Sequence, residues 1–281
     1  MKKNEIEFYL NYIKKHPLVI FGFTMTLLNV IFMIFGYQIA PYNPVEANPT
    51  HTLQPPSAEH WFGTDASGMD VFSRVIAAPK VDLWIAFSAT TLAVIIGSPL
   101  GVISGYNRGI LSEIIARILD IIQVFPPFIL AMAFVAISGQ NINNVIIVIA
   151  ATNAPMFARL LRSKVYTLRD ARFVEAAKCV GNSEFSIIMK HLLPNSWQVV
   201  FIQFSVNIGW AILLTSGLSF VGAGVRVPTP EWGSMIAIGA PNIITGGWWV
   251  AFFPGLALGL TVLGFAILGE ASEFLFDPTK R

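Results

Sequence analysis

Charge is scarce in this chain: only 12% of its 281 residues are Asp, Glu, Lys or Arg, against about 25% in an ordinary soluble domain. Four stretches, 83–107, 121–158, 192–225 and 232–269, hold no charged residue at all. With 54% of its residues apolar and a mean hydropathy of +0.65, the chain carries more apolar surface than a water-soluble fold can cover. Cysteine occurs once, at Cys179, which excludes an internal disulfide and any cysteine-based metal cage. No Gly-Lys pair occurs, so no phosphate-cradling nucleotidase loop can form, and the chain is not expected to hydrolyse ATP. His16, His51, His60 and His191 are widely separated and show no metal-ligand spacing. Asp65, Ser67 and Asp70 lack the ligand order and terminal Glu of a calcium loop and read as a structural turn. No Ser, His and Asp constellation falls within the charge-free stretches. The net charge of +2 is small and scattered, which points away from nucleic acid as a partner. These absences lead to an expectation of no catalytic residue, no directly bound cofactor and no metal.

Long apolar runs take the place of that chemistry. A helix needs about 20 residues to cross about 30 Å of hydrocarbon, and six spans are expected: 18–39, 83–106, 121–137, 145–158, 197–221 and 249–268. The third and fourth are divided by the polar cluster Ser138, Gly139, Gln140, Asn141, Asn143 and Asn144. The run at 18–39 exceeds the roughly 7–15 residues of a signal-peptide core and reads as a retained anchor. The expected fold class is therefore an all-α integral membrane protein. Its parts are a tail at 1–17, a first transmembrane helix at 18–39, a loop at 40–82, a five-helix core at 83–270 that includes a second large loop at 159–196, and a tail at 271–281. With the N-terminus inside, fifteen of the 18 Lys and Arg residues fall on the inner side, leaving Arg74, Lys80 and Arg226 outside. Positive residues are retained on the cytoplasmic face, so both termini are expected there and the 40–82 loop is expected to be external. Asp120, Arg159 and Glu270 fall at span ends, whereas ion-coupled carriers place ionisable groups mid-span. Energy for any transport must then come from another subunit. Gly97, Gly101 and Gly105 recur every four residues, a spacing that permits close helix approach, either within this subunit or beside a pathway.

Two short amphipathic helices are expected in the 159–196 loop. Phe173, Ala176, Ala177 and Val180 share the spacing of one helical face, as do Phe185, Ile188, Met189 and Leu192. Gly181 is placed to cap the first helix, Asn182 or Ser183 to start the second, and Pro194 to end it. Such apolar stripes need a cover. The pair can lie on the membrane surface, pack on its own spans, or plug a groove on a cytoplasmic partner.

At this point the residues carry a family resemblance. Glu175, Ala176 and Ala177, then Gly181, then His191, Leu192, Leu193 and Pro194 reproduce the spacing of the cytoplasmic loop of ATP-binding-cassette importer permeases. The His before Leu and Pro resembles the peptide and nickel branch. Gly63, Thr64, Asp65, Gly68, Asp70, Val71, Ser73 and Arg74 resemble the external signature of the dipeptide, oligopeptide and nickel permeases, with Met69 where Arg is common. Leu218, Ser219, Phe220, Gly222 and Gly224, then Pro228, Thr229, Pro230, Trp232 and Gly233, then Trp248, Trp249, Pro254, Gly255, Asp277 and Pro278 resemble the second of that family's two permeases. The resemblance implies a permease subunit of an importer in a bacterial inner membrane, translocating a peptide-like or metal-chelate solute by alternating access. It implies a coupling-helix pair between spans four and five that docks on an ATPase through Phe173, Glu175, Ala176, Ala177, Gly181, His191, Leu193 and Pro194. The implied partners are a homologous second permease, two ATPase subunits holding ATP and Mg, a solute-binding protein and membrane lipid. A passive channel or membrane scaffold is the alternative; it leaves the amphipathic pair without a purpose.

Overall fold

Pro17 opens the first helix, where a missing N–H costs nothing, and α1 runs Pro17–Ile39. The computed structural model describes residues 16–276, with side chains through 272. The tail residues 1–15 and 277–281, with the charges at Lys2, Lys3, Lys14, Lys15, Lys280 and Arg281 and the Asp277-Pro278 pair, lie outside the described residues. Then follow α2 Val71–Ala77, α3 Pro79–Tyr106, α4 Ile110–Val124, α5 Pro127–Ser138, α6 Ile142–Leu168, α7 Arg172–Cys179, α8 Glu184–Ile187, α9 Leu193–Phe220, α10 Trp232–Gly239 and α11 Trp249–Phe276. Short 3-10 turns occupy Pro49–His51 and Ala240–Ile243. No strand occurs among the described residues, only an isolated bridge between Thr64 and Asp70.

Five helical segments are long and apolar enough to cross a membrane: 17–39, 71–106, 142–168, 184–220 and 249–272. α4 and α5 form a bent pair, turned by 85° at residues 125–126. The helix expected at 121–137 is therefore not continuous: it is interrupted at 125–126, and its first part begins back at Ile110. Pro126 and Pro127 explain the break, since neither donates a backbone hydrogen bond and Pro126 forces Phe125 into an extended conformation (ψ 135°). The divider at 138–144 is confirmed: Asn141 caps α6 by accepting from Asn143 N–H.

α3 packs along α6, and the three glycines make it possible. A Cβ at Gly97 would overlap the Ala154 carbonyl, one at Gly101 the Ala158 carbonyl, and one at Gly105 would meet the Arg162 carbonyl. The glycine stripe thus serves packing within this subunit. A buried polar tie joins three helices: Asn153 Nδ2 (α6) and Thr90 Oγ1 (α3) both donate to Asn207 Oδ1 (α9), at 3.2 and 3.3 Å. Without water in a bilayer, such groups must satisfy one another. α1 is attached to α11 in the same way, Thr261 Oγ1 donating to Asn29 Oδ1 at 3.1 Å.

Candidate functional site

Two structured loops stand at opposite ends of this bundle. At one end, α7 and α8 form the two-helix element between α6 and α9. Gly181 has φ of +85°, and its N–H reaches the Lys178 carbonyl while Asn182 N–H reaches that of Ala177. This is the Schellman ending that favours glycine. Ser183 then caps α8 by accepting from Ser186 N–H at 3.3 Å. The inward face is Val174, Ala177, Ile187 and Leu192, buried together against Phe157, Leu161 and Val165 of α6. The outward face is Phe173, Val180, Phe185 and Met189, of which Val180 is 83% and Phe185 74% exposed. The single apolar stripe expected on each helix is thus split: Ala177 and Leu192 are buried and Ile188 partly so, whereas Phe173, Val180, Phe185 and Met189 are left uncovered, and the anchors Val174 and Ile187 lie outside the expected stripes. Glu175, Ala176, Gly181 and Pro194 are exposed too, and His191 and Leu193 are half-buried.

Packing, not ion pairing, holds the element. Burying a Val, Ile or Leu contributes about 1.5–3 kcal/mol, and Val174, Ile187 and Leu192 are fully buried. The nearby Arg108–Asp170 pair is more than half exposed, and such pairs contribute about 0–1 kcal/mol. Arg169 adds a deeper tie. Its Nη1 donates to the Gly105 carbonyl at 3.0 Å, capping the end of α3.

Pro194 does not end the second helix. Residues 188–192 form a π turn in which Leu193 N–H reaches back to the Ile188 carbonyl, and the chain continues directly into α9. The widened turn makes room for a proline that has no N–H to give and would clash in a regular α-helix. The loop helix and the fifth predicted span are therefore one continuous rod.

At the other end, the 40–70 loop folds over the bundle. The signature residues Gly63, Thr64, Asp65, Gly68 and Asp70 lie here and Ser73 and Arg74 on the start of α2, and every one is buried. Asp65 Oδ1 accepts from Ser67 and Met69 N–H at 2.8 and 3.0 Å. Asp70 Oδ2 caps α2 through Ser73 N–H at 2.7 Å. Arg74 Nη1 donates to the carbonyls of Pro44 and Pro228 at 2.8 and 3.1 Å, tying the loop to the segment before α10. Ser73 Oγ accepts from Tyr42 N–H, and the Thr64 carbonyl accepts from Trp249 Nε1. Gly63 and Gly68 both have positive φ, and a side chain at Gly68 would collide with the Asn48 carbonyl. The signature is thus a buried knot of hydrogen bonds that fixes the shape of this loop.

Sequence reasoning missed three features. Asp82 and Glu231 are both fully buried beside Trp232: Glu231 accepts from Gly233 and Ser234 N–H to cap α10, and Asp82 Oδ2 accepts from Trp232 N–H at 3.2 Å. Asp120 and Arg159, expected at span ends, lie inside α4 and α6 and pair with each other at 3.2 Å. His51 and His60, which show no metal-ligand spacing in the sequence, come together at 3.2 Å between ring nitrogens.

The comparisons with known proteins agree with this architecture. Residues 97–281 match the family described as binding-protein-dependent transport system inner membrane component, and residues 10–56 match the N-terminal TM domain of oligopeptide transport permease C. The chain belongs to this permease family. It is a permease subunit of an importer, a non-enzymatic, multi-pass membrane component that works with other permease and ATPase subunits. It is 40% identical to the dipeptide transport system permease protein DppC of Alkalihalophilus pseudofirmus, over 96% of this chain and 88% of that one. It is 38% identical to the probable D,D-dipeptide transport system permease protein DdpC of Escherichia coli K12, over 95% and 89%. Identity to the glutathione transport system permease protein GsiD of Pectobacterium atrosepticum is 34%, over 98% and 91%. Among solved structures, the permease fold is similar to a chain of the inward-facing MetNI methionine ABC transporter, with a TM-score of 0.60 at 18% identity, covering 72% of this chain and 96% of that one.

Proposed function

We propose that this chain is the second-type permease of an ATP-driven importer for small peptide-like solutes, with α7 and α8 as its coupling helices. In this reading the bent pair α4 and α5 counts as one crossing, which makes six. Both termini are cytoplasmic, and the membrane is a bacterial inner membrane. A homologous permease lies alongside as a heterodimer partner, a solute-binding protein docks over the 40–70 loop, and lipid covers the remaining apolar faces. Two ATPase subunits dock below, one on each permease, and hold ATP and Mg. The single observation that carries the reading is the uncovered face of Phe173, Val180, Phe185 and Met189, standing on a base anchored by Val174, Ile187 and Leu192. A helix-in-groove contact needs that combination of rigid base and apolar ridge. Closure of the ATPase pair would move the two ridges together, and the continuous α8–α9 rod would carry the movement into the pathway.

The solute class rests on the relatives, whose names specify dipeptide, D,D-dipeptide and glutathione transport. Nickel or another metal chelate is the other class suggested by the His191 spacing, and no relative named above supports it. The test is Glu175→Lys, on the first turn of α7 and exposed. Uptake of a labelled dipeptide by cells should be lost while the variant still inserts at normal abundance. Normal uptake would sink the coupling assignment.

A further inference from the structure

The loop between α1 and α2 places two histidines and a carboxylate around one cavity, and no part of the transport reading uses them. His51 Nδ1 and His60 Nε2 stand 3.2 Å apart. A carboxylate oxygen of Glu59 joins them, all three ligand atoms lying within 4.8 Å of one another. Behind His60, Asp70 Oδ1 lies 2.8 Å from Nδ1. Asp70 already accepts from Ser73 N–H through its other oxygen, so it acts as an acceptor and Nδ1 of His60 carries the proton. The lone pair of His60 is thereby fixed on Nε2, facing His51. His60 is only 5% exposed, its backbone N–H is held by Ser57 Oγ at 3.0 Å, and the Tyr42 ring lies against it with centroids 4.8 Å apart. The imidazole is thus oriented before any ligand arrives.

We infer that His51, Glu59 and His60 form a binding site for a divalent transition cation of the zinc class on this loop. Two imidazoles and one carboxylate are a common donor set for such ions, leaving a fourth position open. Zn–N bonds of about 2.0–2.1 Å set the edge of a tetrahedron at about 3.3 Å, and the His51–His60 separation already matches it. Glu59 is exposed, and its carboxylate, within 4.8 Å of the other ligand atoms, would move inward to close the third corner. Asp70 supplies the carboxylate that orients a ligating histidine, a partner whose loss usually weakens metal binding about 10–100-fold. The cavity that His51, Glu59 and His60 line measures about 410 Å³, room enough for water or an incoming donor at the fourth position. The same Asp70 caps α2, so the ion would be tied through one carboxylate to the signature knot and would stiffen the mouth. The site does not depend on which solute is carried.

The test is zinc binding by the full chain in its assembled complex, purified without a polyhistidine tag and dialysed against Zn2+ for elemental analysis and competition titration. Wild type should hold one Zn2+ per chain, and His51→Ala and Glu59→Gln should each lower affinity at least tenfold without loss of assembly. Wild type should also show His51 protected by Zn2+ from carbethoxylation, read by peptide mass spectrometry, a measurement that needs no variant. Absence of stoichiometric binding, unchanged affinity in His51→Ala, or equal modification of His51 with and without Zn2+ would overturn the site. In that case the two rings are a hydrogen-bonded pair and nothing more.

Discussion

Gly101 shows how a single residue sets the distance between two helices. Any Cβ there would overlap the Ala158 carbonyl and come within 2.9 Å of Leu161 Cβ. Gly101→Val should cost about 1–3 kcal/mol by overpacking, read as a lower melting temperature in detergent. Gly259, on α11, has nothing within 4 Å of its missing side chain. Gly259→Ala should therefore leave the melting temperature unchanged or raise it slightly. Equal effects at the two positions would contradict the α3–α6 packing. The four-residue spacing of these glycines was legible in the sequence, but their partner α6 was not, because one sequence carries no record of which helices meet. Asp82 and Glu231 escaped notice for a related reason. Each sits one residue before a charge-free stretch, at 83 and 232, and so looked like ordinary flanking charge. Only the fold puts both against the same tryptophan. His51 and His60 are nine residues apart, and the turn that joins them is made by contacts with Thr64 and Asp70 that no spacing rule anticipates.

Helices were placed well by hydrophobic length and less well by their ends. α1 and α3 agree with expectation because a continuous apolar run and a bilayer set the same length. The third span failed because Pro126 and Pro127 are themselves apolar, so a count of charge-free residues passes over the point where the backbone breaks. Pro194 failed in the opposite sense: a proline read as a stop is accommodated by the π turn before it. The start of each loop helix and the turn at Gly181 were legible in the spacing, but the end of the second was not, and periodicity alone could not tell the face that packs on α6 from the face left open. The turn between them makes a direct prediction. Gly181 needs a left-handed conformation, yet no atom crowds it. Asn tolerates that conformation, whereas a β-branched residue there is strained by at least about 1–2 kcal/mol. Gly181→Asn should keep solute-stimulated ATPase activity in the reconstituted complex, and Gly181→Val should lose most of it. Equal activity in both variants would mean that the turn does not hold the coupling geometry.

At the scale of the whole molecule, the two structured loops occupy opposite ends of one bundle and differ in kind. The 40–70 loop buries its signature residues and ties α2 to the segments before α10 and α11. The 169–192 loop buries Val174, Ala177, Ile187 and Leu192 and exposes Phe173, Val180, Phe185 and Met189. A chain built this way has one end shaped into a fixed mouth and the other prepared for a contact it does not make alone. In the proposed importer, ATPase subunits cover the exposed ridge on the cytoplasmic side. Cys179 is the only cysteine and is exposed on α7, so the wild-type chain carries its own probe. The deciding measurement is the maleimide labelling rate of Cys179 in inside-out membrane vesicles, before and after the ATPase subunits are stripped away. Labelling should be slow with the subunits bound and fast once they are removed. Labelling at the same rate in both states, or labelling by an impermeant maleimide added to intact cells, would contradict it.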